Sequence, residues 1–436
     1  MSVGSKELFR RLLQNQHKFR HFLQKQVRLS SSGVPHTQQA QKFDESTLNV
    51  TNITSEILTN TSIPIEHDTD VGQLFSAADL NVRLAAPHEL QPKPDLDGLI
   101  FGRQFTDHML KIFHYSKLGG WQRPEISPME NLVLHPAAKV LHYAIELFEG
   151  TKAYRGEDGR IRLFRPDMNM RRMNLSAKRS GLPTFDGAEF IKCLCRLISI
   201  DQEWVPHSPS GSLYIRPTLI GIDPTLGVAL PDSALLYTIL SPVGSYFSAN
   251  PKGSVALLAD PRYTRAWPGG VGDRKMGSNY APTLHVQKEA YRKGLQHVLW
   301  LYGEDEQLTE VGIMNVFMFF INDNGEKELI TPALNGLILP GITRDSILTL
   351  AREWGEFKVT EGKFTMGMVR KLLKEERLLE LFGAGTAAVI SPIERIHYVG
   401  EDILIPTLEQ EKPVYERLKT TLTDIQYGRI KHPWGL

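Results

Sequence analysis

The stretch Val271-Gly-Asp-Arg-Lys-Met-Gly-Ser-Asn-Tyr-Ala-Pro282 presents one lysine, Lys275, in a glycine-punctuated loop that leads towards a helix. Glycines at 269, 270, 272 and 277 allow backbone conformations and close approaches that larger residues cannot make. Ser278 and Asn279 are N-cap residue types, and the spacing of Leu284, Gln287, Lys288 and Tyr291 predicts a helix over 281–294. Such a loop holds an amine at the mouth of a cleft, where it can attack a carbonyl and form a Schiff base. Taken alone, a Lys beside an Arg in a glycine-rich loop reads as a solvated surface charge. The rest of the chain decides between the two readings.

The chain has 436 residues, 41% hydrophobic and 23% charged, an ordinary globular balance. That length accommodates two or three domains of roughly 100–200 residues each. No apolar run reaches the roughly 18–20 residues of a membrane-spanning helix. Cys193 and Cys195 are the only cysteines, too few for a disulfide framework or a cysteine-rich zinc site. Residues 1–43 carry Lys6, Arg10, Arg11, Lys18, Arg20, Lys25, Arg28 and Lys42 against the single acid Glu7, while the whole chain is at +1. The positive excess therefore lies in the leader, and the body shows no bias towards nucleic acid. With Leu8, Phe9, Leu12, Leu13, Phe19, Phe22 and Leu23 on a helical face and Ser30 to Ser32 behind them, residues 1–32 have the composition of a mitochondrial transit peptide. Residues 33–95, rich in Ser, Thr, Asn and Gln, are expected to be a flexible low-complexity spacer.

Beyond the spacer the pattern is mixed. Strands are expected over 132–136, 150–164 with a turn at Glu157-Asp-Gly159, 212–221 and 234–242, and helices over 139–148, 167–180 and 190–200. Asp167 is the N-cap candidate of the second helix and Gly181 its stop. The pattern breaks at 244–254, an expected linker between a small domain (96–243) and a larger one (255–436). Strands follow over 253–259, 297–301, 316–322 and 327–331, and helices over 343–354 and 366–381. Strands and helices do not alternate strictly, which makes the class α+β.

Three further stretches bear on Lys275. Glu310, in Thr309-Glu-Val-Gly-Ile-Met-Asn315, is either an exposed turn residue or a buried carboxylate in need of a cation, for which a protonated pyridine nitrogen would serve. Leu339-Pro-Gly-Ile-Thr-Arg-Asp345 opens a helix, so the amides of Ile342 and Thr343 with the Thr343 hydroxyl form an anion site. Arg172 offers a second, charged clamp on the same anion. Lysine, carboxylate and phosphate cradle together describe pyridoxal 5′-phosphate.

These motifs, with His142-Tyr143, Phe148-Glu-Gly150, Tyr214-Ile-Arg216-Pro and the Gly383-Ala-Gly-Thr386 loop, resemble the branched-chain amino acid aminotransferases, pyridoxal phosphate enzymes of fold type IV. The likeness runs from Phe101 to the C-terminus. It implies a two-domain fold like that of D-amino acid aminotransferase, preceded by a disordered leader, and a homodimer whose subunits line each other's sites. It implies Lys275 as the cofactor-bonded lysine and proton carrier, Glu310 as the partner of the pyridine nitrogen, and Tyr280 at the ring hydroxyl. Arg172, Ile342, Thr343 and Thr386 would surround the phosphate. Tyr143 and Arg216 would face substrate carboxylates, and Phe101, Phe148, Tyr214, Val228 and Tyr246 would wall in a branched side chain. The implied reaction moves the amino group of leucine, isoleucine or valine to 2-oxoglutarate.

Two positions depart from the family pattern. Ile313 stands where animal members often carry a carboxylate-binding threonine; either that bond is lost or backbone amides near Thr386 and Ala387 replace it. Ala388-Val-Ile-Ser391 replaces a Cys-x-x-Cys redox pair found in some members. The rival readings are another fold type IV activity, D-amino acid transfer or aminodeoxychorismate cleavage, and a catalytically silent binding protein on the same fold.

Overall fold

A computed structural model of the chain describes residues 72–244 and 253–436. The expected transit peptide, most of the spacer, most of the linker and Tyr246 lie outside the described residues.

The first part of the body contributes β1 (Asn81–Val82), β2 (His108–Tyr115), β3 (Gly120–Trp121), β4 (Glu125–Pro128), α1 (Lys139–Tyr143), β5 (Glu146–Phe148), β6 (Thr151–Arg155), β7 (Ile161–Leu163), α2 (Pro166–Ser180), α3 (Gly187–Ile200), β8 (Ser212–Gly221) and β9 (Ser233–Val243). The strands form a sheet in the order β1-β4-β2-β9-β8-β6-β7, with β3 on β2 and β5 on β8. Their apolar residues join those of α2 and α3 in one core that includes Leu110, Ile112, Met170, Leu194, Leu213 and Leu236. Pro166 starts α2 because its fixed φ suits the first helical position and it has no amide to leave unpaired. Arg165 precedes it with φ 48°, so Asp167 lies inside the helix instead of capping it. Gly181, at φ 66°, ends α2 as its composition predicts.

The second part contributes β10 (Val255–Ala259), α4 (Thr283–Arg292), β11 (His297–Tyr302), β12 (Gln307–Val311), β13 (Met314–Ile321), β14 (Lys327–Pro332), α5 (Ile342–Trp354), β15 (Lys358–Gly362), α6 (Met366–Lys374), β16 (Leu378–Gly385), β17 (Val389–Tyr398), β18 (Glu401–Leu404) and α7 (Val414–Gln426). Its sheet runs β12-β11-β10-β17-β16-β13-β14-β15, and a further β12–β13 pairing closes the first six of these strands into a ring. α5 and α7 pack with Phe317, Phe319, Phe382 and Ile390 on one side, and α6 packs with Leu308, Leu378 and Leu381 on the other. No helix of the described residues is long and apolar enough to cross a membrane.

Several expectations are corrected. Residues 132–136 are irregular, and the helix expected over 139–148 stops at Tyr143, where Ala144 takes φ 48° and lets Glu146–Phe148 pair with β8. The helix expected over 366–381 ends at Lys374: Glu376 takes φ 55°, and the apolar run from Leu378 goes to the sheet between β13 and β17. The spacer expectation fails at its end, where Phe75, 5% exposed, packs edge-on to Trp121 with ring centroids 5.6 Å apart. A low-complexity average hides one well-placed aromatic ring.

Candidate functional site

Between β10 and α4 the Lys275 loop is tied down on both sides. The Lys275 amide donates to the Ser176 hydroxyl on α2 at 3.0 Å, and its carbonyl accepts from the Phe148 amide at 3.1 Å. Asn279 braces the loop, donating to the carbonyls of Val271 and Arg274 at 2.7 Å each. Neither it nor Ser278 caps α4, which begins after Pro282 with no side-chain cap. The backbone so held sends the Lys275 ammonium into a cavity of about 470 Å³, 3.2 Å from the Tyr280 hydroxyl and 4.9 Å from the centre of the Phe148 ring.

Phe148-Glu149-Gly150 divides three tasks among three residues. Phe148 is wall. The Glu149 carboxylate, fully buried, takes two hydrogen bonds from Arg172, at 2.7 and 2.8 Å, and one from Asn169 at 2.8 Å. Burial alone would push that carboxyl up, but the Arg172 guanidinium and Asn169 outweigh it and hold it below the usual range. Gly150 leaves room for Tyr214, whose hydroxyl would lie 2.0 Å from a Cβ at that position.

Arg172 lines the cavity and also donates to the Pro340 carbonyl at 3.0 Å, which fixes the turn ahead of α5. Asn315 secures the same turn by donating to the Leu339 carbonyl at 2.9 Å. α5 has glycine at its N-cap and no side-chain cap, so the first-turn amides of Ile342 and Thr343 face the cavity unclaimed. Thr386 and Ala387 line it from the turn between β16 and β17. The residues from which the sequence predicts an anion site are thus brought together along the cavity, with Arg172 among them.

Glu310 is not a turn residue. It lies in β12, 4% exposed, accepting from the Leu339 amide at 2.8 Å and pairing with Arg265 at 3.2 Å. Burial pushes its carboxyl up, against the opposing pull of Arg265 and the Leu339 amide. Its carboxylate opens on a smaller adjoining cavity that shares Tyr280, Ile313 and Leu339 with the main one. Behind it the β12–β13 hairpin turns at Gly312, φ 57°, and Ile313, which is 57% exposed and lines both cavities.

The remaining wall is aromatic and carries one cation. Phe101 meets Tyr214 at a ring-centroid distance of 4.9 Å. Arg216 lies over the Phe148 ring at 4.5 Å and donates to the Tyr214 hydroxyl at 3.0 Å. Two expected substrate residues do not line this cavity: Tyr143, expected to face a substrate carboxylate, is 38% exposed with its hydroxyl on the Leu226 carbonyl, and Val228, expected in the apolar wall, is 82% exposed. Leu226 and Leu230, two residues to either side of Val228, and Leu141 beside Tyr143 on α1 are also exposed.

Sequence reading missed Glu146 and His297, which line the cavity, Arg265, which pairs with Glu310, and Lys152. Lys152 is buried in β6 and donates to the Ala387 carbonyl at 2.8 Å; burial pushes its ammonium down to about 8. Strand alternation could have found Glu146 and Lys152, each two residues from a motif residue on the same face. Arg265 lies in an irregular loop and carries no such signal.

The family model of the class IV amino-transferases matches residues 146–396, which hold Lys275, Glu310, Arg216 and the α5 amides. The cytosolic branched-chain-amino-acid aminotransferase of Mus musculus is 54% identical over 84% of this chain and 94% of its own length. The chain belongs to the branched-chain amino acid aminotransferase family. The mitochondrial branched-chain aminotransferase of Mus musculus is 50% identical over 84% of this chain and 92% of its own. A branched-chain aminotransferase of Escherichia coli shares the fold, with a TM-score of 0.58, 26% identity, and coverage of 75% of this chain and 97% of that one. The family thus extends over both parts of the body, and its members include cytosolic and mitochondrial enzymes.

Proposed function

We propose that the chain transfers the amino group of L-leucine, L-isoleucine or L-valine to 2-oxoglutarate in two half-reactions at one pyridoxal 5′-phosphate site. The donor set fits that cofactor: an amine for its aldehyde carbon, uncapped helix amides and Arg172 for its phosphate, and a buried carboxylate for its ring nitrogen. Of the five N–H donors of Arg172, three are used by Glu149 and Pro340, and two remain for an anion. When bound, the cofactor supplies an electron sink for charge developing at the substrate Cα.

The chain's own residues do the rest. Lys275 would hold the cofactor through its aldehyde carbon and, as a free amine, would take the substrate Cα proton as general base. Tyr280, 3.2 Å from the Lys275 ammonium, orients that group and the ring hydroxyl. Glu310 would favour a proton on the ring nitrogen by offering a buried negative charge, and Arg265 holds that carboxylate in place. Phe101, Phe148 and Tyr214 exclude water around an aliphatic side chain, whose full burial contributes roughly 1.5–3 kcal/mol. Arg216 takes the second carboxylate of 2-oxoglutarate. The closeness of Lys275 and Tyr280 beside the open α5 amides carries the reading.

Borohydride reduction of the holoenzyme followed by peptide mapping tests it. The expected result is a reduced cofactor on Lys275 and loss of transamination in Lys275→Ala; a label on another lysine overturns the assignment.

The basic, amphipathic leader and the mitochondrial relatives support a place in the mitochondrion. Import of a reporter fused to residues 1–32 tests this, and a reporter left outside isolated mitochondria rejects it. The exposed positions of Tyr143 and Val228 support a homodimer in which these residues complete the partner's cavity.

A further inference from the structure

A site that serves both half-reactions must hold an alkyl chain and later, in the same space, a carboxylate. Arg216 is the cation for the second task. During the first it stands in an aromatic pocket, with one nitrogen on the Tyr214 hydroxyl and its Nε without a partner. A desolvated cation beside an apolar chain is costly unless a negative charge balances it.

The cavity contains such a charge. Glu146 lines it, half-buried, and among the described residues its carboxylate has no hydrogen-bond partner and no ion pair. Glu146 and Phe148 alternate on β5, opposite Ile220 and Thr218 of β8, which places Glu146 on the face that carries Tyr214 and Arg216. Gly277, two residues from Lys275, makes the position possible: a Cβ there would lie 2.6 Å from the Glu146 Oε2. The two side chains face the same space without touching; burial pushes the Glu146 carboxyl up, and the attraction of Arg216 opposes that and favours its charged form. An unpaired acid in a wall that must admit a dicarboxylate demands a reason.

We infer that Glu146 is the internal counter-ion of Arg216 and a determinant of the balance between aliphatic and dicarboxylate substrates. While an aliphatic side chain fills the pocket, Glu146 balances Arg216. When a dicarboxylate enters, its distal carboxylate takes Arg216 and is repelled by Glu146. The residue thereby favours leucine and opposes 2-oxoglutarate, preventing either half-reaction from trapping the enzyme.

The inference rests on the transaminase reading above, and its test separates the two. Steady-state kinetics of the holoenzyme and of Glu146→Gln and Glu146→Asp are compared with leucine and 2-oxoglutarate as substrates. In Glu146→Gln the KM for 2-oxoglutarate is expected to fall about three- to tenfold while kcat/KM for leucine falls by a similar factor, the range of a partly screened charge pair. Glu146→Asp, which keeps the charge, should restore the native order. A parallel loss for both substrates, or no change for either, overturns the inference, because a structural role would not move the two in opposite directions. A native holoenzyme that fails to react with leucine overturns the transaminase reading instead.

Discussion

Gly150 shows how a single residue type can be dictated by a neighbour far along the chain. A Cβ there would stand 2.0 Å from the Tyr214 hydroxyl, which in turn receives the Arg216 Nη2. Gly150→Ala therefore has to displace Tyr214 and release Arg216. The expected outcome is a KM for 2-oxoglutarate raised about tenfold, with an overpacking cost of about 1–3 kcal/mol visible as a lower Tm. An unchanged KM would mean that the Tyr214 hydroxyl does not position Arg216. At this scale the sequence was legible where a motif repeats a known chemistry, as at Lys275, Glu310 and the amides after Gly341. It was illegible where the reason is a tertiary contact: nothing local says that Arg265 faces Glu310, or that Asn279 ties the loop to Val271 and Arg274 instead of capping a helix. Ile313 lies between these cases. Its side chain, 57% exposed at the hairpin tip, lines the cavity without being buried in it, so it does not form the closed apolar wall that its chemistry suggests.

Elements were read well where one period dominates and poorly where a buried run crosses a boundary. β8 and β9, with long β-branched and aromatic stretches, match their expected spans within two residues at each end, as does α3 at its C-terminus. Leu372, Leu373, Leu378 and Leu381 also suit a helical period, so the sequence predicts one helix running into β16, and only the left-handed Glu376 separates the two elements. α7 was missed altogether. Its start is capped from a distance: both Glu380 carboxylate oxygens, on β16, accept the amides of Val414 and Tyr415, at 2.6 and 2.9 Å. Pro413, at the N-cap, has no side-chain oxygen to do so. Burial pushes the Glu380 carboxyl up to about 7 from 4.5, against the opposing pull of the two amides and Lys327. Because its folded pKa is raised, the protonated form contributes stability that is fully present below about pH 4.5 and is lost as pH rises through about 7. The loss is about 3 kcal/mol over that window. Thermal melts at pH 5 and pH 8 are expected to show a smaller drop in Tm for Glu380→Gln than for the native chain. Equal drops would mean that Glu380 stays charged throughout and caps α7 at no cost.

At the scale of the whole molecule, the two sheets supply complementary halves of one cavity. The first part of the body gives the aromatic wall, Arg216 and Glu146; the second gives Lys275 and the α5 amides, with Glu310 on the smaller cavity that adjoins it. The family resemblance implies Tyr143 at a substrate carboxylate and Val228 in the substrate wall, yet neither lines the cavity of its own chain. The homodimer proposed above would account for this, with a second copy whose cavity they complete. Val228 is 82% exposed, and Leu226 and Leu230, two residues to either side of it in the chain, are exposed as well, apolar side chains that a monomer would leave in water without benefit. Val228→Asp tests this without disturbing the fold, since an exposed substitution typically changes stability by only about 0.5 kcal/mol. Buried at an interface, the new carboxylate would be desolvated without a partner, so dissociation should appear in sedimentation velocity. In the same preparation kcat/KM for leucine should fall at least about tenfold, because the partner's cavity loses a wall and admits water. The two readouts together decide the matter. A dimer with native activity makes Val228 an ordinary loop residue, and a fully active monomer shows that each chain closes its own site.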